Sequence, residues 1–103
     1  MGRQLLRITI DETGQTMVIK LEGRVAGPWV AEVSDTWTAA APRLAARKLS
    51  LDLREVTYLD AGAARVLGDI YAQTGAEFVT STPWTQYLAE EIMRGTTQPI
   101  EGV

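Results

Sequence analysis

Asp60 is the residue of this chain whose type and position best suit binding chemistry. It follows the segment Leu49–Leu53, in which leucines alternate with polar residues as in a half-buried strand. It precedes Ala61–Leu67, where the apolar residues recur at helical spacing. A carboxylate at such a junction can accept hydrogen bonds from the free N–H groups of the first helical turn, so we expect Asp60 to cap a helix.

Two of the commonest catalytic residue types are missing, since the chain has no histidine and no cysteine. This absence excludes Ser-His and thiol chemistry, and it removes the commonest general base and transition-metal ligand. The adjacent carboxylates of Asp11-Glu12 and Glu90-Glu91 diverge in direction, which indicates solvated charge and no acid–base pair. No glycine-rich phosphate-binding motif follows a strand. The sequence therefore predicts that the chain is not an enzyme and needs neither a metal nor a cofactor.

Composition limits the chain to one small folded domain. It has 103 residues, of which 46% are apolar and 22% charged, enough for a single core. A net charge of −3 without a basic cluster indicates no nucleic-acid surface. No apolar run approaches the roughly 20 residues that span a bilayer, and no signal peptide is recognisable. We therefore predict a cytoplasmic domain over residues 1–94 without membrane insertion, and a frayed tail over residues 95–103.

Hydrophobic periodicity divides the chain into elements in the order β-β-α-β-α-β-α. Alternation predicts strands at Leu6–Ile10, Met17–Leu21 and Leu49–Leu53, with a short fourth strand at Ala76–Thr80. The first two strands are separated by Asp11–Gln15, whose polar residues and glycine are typical of a hairpin loop.

Helical spacing predicts three helices after these strands. The first begins at Pro28 and should end or kink near Pro42, which lacks an N–H donor. The second should end at Gly75, a residue suited to a helix C-cap. The third opens at Thr82-Pro83, a typical start signal.

The order of elements and the pattern of the third strand together predict the sheet. Helical connections between strands imply parallel pairing with right-handed crossovers. A strand covered on both faces would be almost continuously apolar, whereas Leu49–Leu53 alternates. We therefore predict an α/β fold: a mixed four-stranded sheet with helices packed on one face and the other face partly open. Asp52 would lie on that open face as a polar residue with satisfied hydrogen bonds.

The segment before the second helix also carries a family signature. It reads L-x-L-D-L at Leu49–Leu53 and V-x-Y-L-D at Val56–Asp60. This pattern resembles that of STAS domains, the family of bacterial anti-sigma factor antagonists. The resemblance spans roughly Leu5 to Met93 and implies the STAS fold.

The sequence departs from the STAS pattern at the position of the regulatory serine. The D-S-S-G of the family corresponds to Asp60-Ala61-Gly62-Ala63 here. Because neither Ala61 nor Gly62 has a hydroxyl group, phosphorylation cannot occur at the usual place. We therefore expect a constitutive binding module, or one that its partner controls.

The resemblance implies a function in protein interaction. STAS domains of the antagonist type offer the sheet edge where the second helix begins to a partner kinase. It implies a regulatory protein as the partner, either a kinase-like anti-sigma factor or, in a second hypothesis, the ATPase subunit of an ABC-type lipid transporter. A third hypothesis is a small-ligand or nucleotide sensor that uses the start of the second helix. The predicted partner-binding residues are Trp29, Tyr58, Asp60, Ala61, Gly62 and Trp84.

The tryptophans allow two interpretations. Trp37 lies in the apolar stripe of the first helix, and we expect it in the core. Trp29 and Trp84 lie in the first turns of two helices at the candidate edge, near Tyr58. They could form one apolar patch that faces a partner, or each could cover one end of the small core.

Overall fold

The computed structural model describes residues 6–97 of the chain. Four strands and three helices follow one another there in the order that the periodicity predicts. They are β1 (Leu6–Thr13), β2 (Thr16–Val25), α1 (Trp29–Leu44), β3 (Lys48–Leu59), α2 (Ala61–Thr74), β4 (Glu77–Val79) and α3 (Pro83–Thr97).

The strands form one four-stranded sheet in the order β1-β2-β3-β4. β1 and β2 are antiparallel and joined by a tight turn in which Gly14 has a φ of +58°. β2 pairs parallel with β3, and β3 with β4, through the helical connections α1 and α2. The predicted α/β fold with a mixed sheet is therefore confirmed.

The core lies between one face of this sheet and the three helices. Alternate residues of β2 and β3 point into it, as the leucine pattern predicts, and helical residues meet them from α2 and α3. Burial of each such side chain contributes about 1.5–3 kcal/mol. The main members are Met17, Ile19, Leu21, Leu49, Leu51, Leu53, Leu67, Ile70, Leu88 and Ile92, none more than 3% exposed apart from Leu88 at 4%.

The opposite face of the sheet is polar but less open than the alternation suggests. Asp52 is only 4% exposed there, although no helix covers it. The Arg54 side chain lies along it and donates from Nε at 3.0 Å and from Nη2 at 2.8 Å. Asp52 is thus a satisfied polar residue, as predicted, and the long side chain of a neighbour buries it.

β3 is longer than the sequence pattern indicates. The segment Arg54–Leu59, which lies outside the predicted strand Leu49–Leu53, continues the strand and pairs with β2. Two β-bulges explain the error. Leu21 of β2 lies opposite both Leu53 and Arg54, and Thr57 is an extra residue between the next pairs. Each bulge interrupts the alternation on which the prediction relied.

α1 continues through Pro42 and ends two residues later, at Leu44. Proline lacks the N–H that would bond to the carbonyl four residues earlier, and its ring crowds that carbonyl, so the helix ends soon after it. Arg43 forms an ion pair with Glu12 of β1, with Nη2 and Oε2 2.6 Å apart, and Arg47 joins the same carboxylate at 3.2 Å. Glu12, predicted as solvated charge, therefore ties the hairpin to the end of α1.

α3 continues to Thr97, three residues beyond the predicted domain boundary at residue 94. The rest of the predicted frayed tail, residues 98–103, lies outside the described residues.

Candidate functional site

Asp60 joins two loops at the edge where α2 begins. Its backbone is extended, and its Oδ1 accepts a hydrogen bond from the Ala63 N–H at 2.8 Å, so the predicted helix cap is confirmed. Its Oδ2 accepts from the Gly27 N–H at 2.9 Å, in the loop between β2 and α1. One carboxylate therefore holds together segments more than thirty residues apart in the chain.

The backbone of Asp60 is fixed as well. Its N–H donates to the Val25 carbonyl at 3.1 Å, and its carbonyl accepts from the Ala64 N–H at 3.0 Å. With both carboxylate oxygens bonded to backbone, the side chain has little freedom to rotate. The residue acts as a rigid support for the start of α2.

Hydrogen bonding also keeps Asp60 ionised. Its pKa is lowered chiefly by the N–H of Gly27 and next by that of Ala63, and Arg24 adds a smaller attraction. At neutral pH this group is a carboxylate, which suits a structural anion and not a proton donor.

The first turn of α2 presents almost no side chain to solvent. Ala61 and Gly62 are both exposed. A Cβ built on Gly62 would lie 3.5 Å from Asp60 Oδ1 and 4.0 Å from Val30 Cγ1, which are ordinary contacts. The site therefore has room for a serine there, and only the residue type removes the acceptor hydroxyl.

Tyr58 lies on the polar face of the sheet beside this turn. The second bulge in β3 places Thr57 and Tyr58 both on the exposed side. The ring is 42% exposed, and the Arg24 guanidinium lies over it at 4.5 Å from the centroid. The sequence did not identify Arg24, because its pairing with Tyr58 depends on the register of β2 against β3.

We name Asp60 and the exposed residues around the start of α2 the Asp60 surface. It combines a cation over an aromatic ring, an ionised carboxylate that supports the loops, and a bare helical turn. These features favour contact with another molecule over bond-making chemistry. Its members are Arg24, Tyr58, Asp60, Ala61 and Gly62.

The structure does not bring Trp29 and Trp84 together. Trp29 is half-buried, packs against the core and lines a groove with Leu6 and Ile8 of the edge strand β1. Trp84 is 46% exposed and follows β4, the strand at the other edge. Its ring stacks on Tyr87 at 6.2 Å between centroids. Trp29 therefore covers the core, whereas Trp84 faces solvent, so the two residues do not form one patch.

Tyr87 is the aromatic residue that the sequence reasoning missed. It is 53% exposed, more than Trp84 itself. The signal was present, because residues three apart on a helix are neighbours on its surface. Trp37, by contrast, packs against the core as predicted.

Two further expectations concern metals and membranes. Among residues 6–97, no group of three or more metal-ligating side chains comes together. No helix in that part of the chain combines the length and the apolar character that crossing a bilayer requires.

Comparison with known families identifies the fold. The family model described as "Mlab, STAS domain" matches residues 8–90, most of the chain. The chain belongs to the STAS domain family. The signature in β3 and the fold therefore agree with an independent match of the sequence.

Solved STAS structures show the same fold at low sequence identity. An anti-sigma factor antagonist from Mycobacterium paratuberculosis superposes with a TM-score of 0.73 at 17% identity, over 95% of this chain and 86% of that one. The unphosphorylated antagonist SpoIIAA has a TM-score of 0.61 at 14% identity, covering 87% and 82%. A STAS domain of an antagonist from Rhodobacter sphaeroides gives 0.51 at 22% identity, covering 74% and 85%. No curated protein matches the sequence.

Proposed function

We propose that this STAS domain is a non-enzymatic module that binds a regulatory protein through the Asp60 surface. The observation that carries the proposal is the bare first turn of α2, held in place by the two hydrogen bonds of the Asp60 carboxylate. A rigid surface binds with a smaller loss of conformational entropy than one that must become ordered. Because Ala61 and Gly62 have no long side chain, a partner backbone can approach this turn closely.

The composition of the Asp60 surface supports a protein partner. Tyr58 offers a large, half-exposed ring, and tyrosine is enriched among residues that dominate binding energy at interfaces. Arg24, which lies over that ring, can pair with a carboxylate of the partner. The partner that we propose is a kinase-like anti-sigma factor, by analogy with the antagonists that share the fold.

Control by phosphorylation at the start of α2 is not part of this function. A phosphoserine would add a charge of about −1.5 to −2 to the surface and alter docking. Ala61 and Gly62 cannot carry it, so we propose that the module binds constitutively or under the control of its partner. Thr57 and Tyr58 have hydroxyl groups nearby, but they precede Asp60 and match no acceptor position of the family.

The test is capture of partners from lysate of the source cell by the wild-type chain and by Ala61→Glu. The glutamate adds bulk and negative charge to the Asp60 surface, yet it favours the helix because anions stabilise helix N-termini. Loss of binding would then not result from unfolding. Ala72→Glu is the matched control, since Ala72 is exposed near the other end of α2.

We expect the wild type and Ala72→Glu to capture the same regulatory protein and Ala61→Glu to lose it. Mass spectrometry then decides between a kinase-like anti-sigma factor and the ATPase subunit of a transporter. Equal capture of one such protein by all three chains would show that the Asp60 surface is not the binding site.

A further inference from the structure

A second concave surface lies at the far end of α2, away from the Asp60 surface. It is a groove of about 620 Å³ between the end of α2, the edge strand β4 and α3. We call it the β4 groove. Its apolar floor includes Tyr71, Ala76, Phe78 and Ala89, and the polar residues Thr80 and Gln86 line it as well.

The floor of the β4 groove is built into the fold. Ala76 and Ala89 are each 4% exposed, so the small side chains that form its base are part of the core. The rings of Tyr71 and Phe78 contact each other with centroids 5.6 Å apart, and both remain half-buried. The exposed parts of these two rings are apolar surface that a bound side chain would remove from water.

Among residues 6–97, the charged residues on the rim of the groove are all negative. Glu77 and Glu90 are exposed, and in that part of the chain neither forms an ion pair and no lysine or arginine lines the groove. Arg94, which lies one turn after Glu90 in α3, pairs with Glu91. The end of α2 adds a partial negative charge from its last carbonyl groups.

We propose that the β4 groove is a second docking surface, and that its occupant is an amphipathic basic segment of a partner protein. Apolar side chains of that segment would lie on the floor, and lysine or arginine side chains would pair with Glu77 and Glu90. Anionic lipids and nucleic acids are disfavoured, because the carboxylates repel phosphate groups. Within the described residues β4 pairs with β3 on one side only, so the groove lies at an edge of the sheet.

The two surfaces can be occupied at the same time. α2 has 14 residues between them, which corresponds to about 20 Å at 1.5 Å per residue. The chain would then connect two proteins, or two segments of one protein. This proposal does not depend on the Asp60 surface binding anything.

The test is an NMR titration of the isotopically labelled full chain with three synthetic peptides. The first is an amphipathic helix of leucine and lysine, the second replaces its lysines by glutamate, and the third replaces its leucines by serine. We expect the first to shift the amide signals of Gly75–Phe78 and Ala89–Met93 and to leave those of Gly62–Ala64 unchanged. The other two peptides should bind at least about tenfold more weakly, since the second lacks the positive charges and the third lacks the apolar side chains.

Charge-neutral variants distinguish the groove from general attraction to an acidic protein. Glu77→Gln with Glu90→Gln should weaken the leucine–lysine peptide about tenfold, because two exposed ion pairs are lost. The control variant, Glu32→Gln with Glu55→Gln, removes the same charge elsewhere and should leave the affinity within about twofold. The proposal is overturned if both variants weaken binding equally, if neither does, or if the shifts lie outside the groove.

Discussion

At the scale of single residues, Asp60 does more than the cap that its position predicts. A capping side chain satisfies N–H groups of its own helix, whereas Asp60 also binds the Gly27 N–H in another loop. That second bond holds the loop before α1 beside the end of β3. Loss of the carboxylate should therefore loosen both the start of α2 and the loop before α1.

We predict that Asp60→Asn lowers the free energy of unfolding by about 1 kcal/mol at pH 7, and Asp60→Ala by about 2 kcal/mol. Asparagine keeps one acceptor oxygen and alanine keeps none. Because hydrogen bonding lowers the pKa of Asp60 in the folded chain, its stabilising effect is present above the unfolded pKa of about 3.9. That effect is lost as the pH falls through the folded pKa. The difference in the free energy of unfolding between wild type and each variant should therefore shrink below about pH 4. Urea unfolding at several pH values measures this.

The control for Asp60 is Asp35→Asn on the exposed side of α1, which should change stability by less than about 0.5 kcal/mol. Asp52, whose pKa the Arg54 hydrogen bond lowers, remains in every variant and keeps part of the acid dependence. Parallel pH profiles for wild type and Asp60→Asn would contradict the assignment.

At the scale of elements, α2 carries its start and stop signals in its own sequence. Asp60 caps its N-terminus, and Gly75 ends it in the left-handed conformation with a φ of +68°, its N–H donating to the Tyr71 carbonyl at 2.7 Å. β3 differs, because its length depends on two bulges against β2. The second bulge places Thr57 and Tyr58 together on the exposed side of the strand.

We predict that one substitution has opposite effects near the two ends of α2. Gly62→Ala should stabilise the chain by about 0.5 kcal/mol, since the new methyl group makes only ordinary contacts and alanine favours the helix. Gly75→Ala should destabilise it by about 1 kcal/mol, because alanine resists a positive φ even in open space. Thermal or urea unfolding of the two variants beside wild type measures both changes.

Each of these glycine variants is the control for the other, since both replace an exposed glycine by alanine, one in the first turn of α2 and one at its C-cap. A loss of stability in Gly62→Ala would mean that the first turn does not have the helical geometry described. No loss in Gly75→Ala would argue against the left-handed cap.

At the scale of the whole molecule, one core on one face of the sheet decides which residues stabilise the fold. Trp37 packs against that core, whereas Trp84 contacts Tyr87 and is 46% exposed. Large aromatic residues that contribute little to a core are available for binding. Replacing Trp37 should therefore lower the free energy of unfolding more than replacing Trp84.

We predict that Trp37→Ala lowers the free energy of unfolding by about 2 kcal/mol or more, and Trp84→Ala by about 1 kcal/mol or less. The first substitution leaves a gap beside the core, whereas the second removes a side chain that is 46% exposed and stacks on Tyr87. Urea unfolding followed by far-UV circular dichroism measures both. Equal losses would show that Trp84 is as much a part of the packed structure as Trp37.

The sequence by itself determined the order of the elements, the buried leucines, both ends of α2 and the missing acceptor hydroxyl. These features depend on hydrophobic periodicity and on contacts between residues within about four positions, which a sequence displays directly. Tertiary structure decided the bond from Gly27 to Asp60, the Arg24 side chain over Tyr58, the full length of β3 and the separation of Trp29 from Trp84. Each of these depends on how distant segments pair across the sheet. That register is set by the packing of the whole core and is not encoded in any one segment.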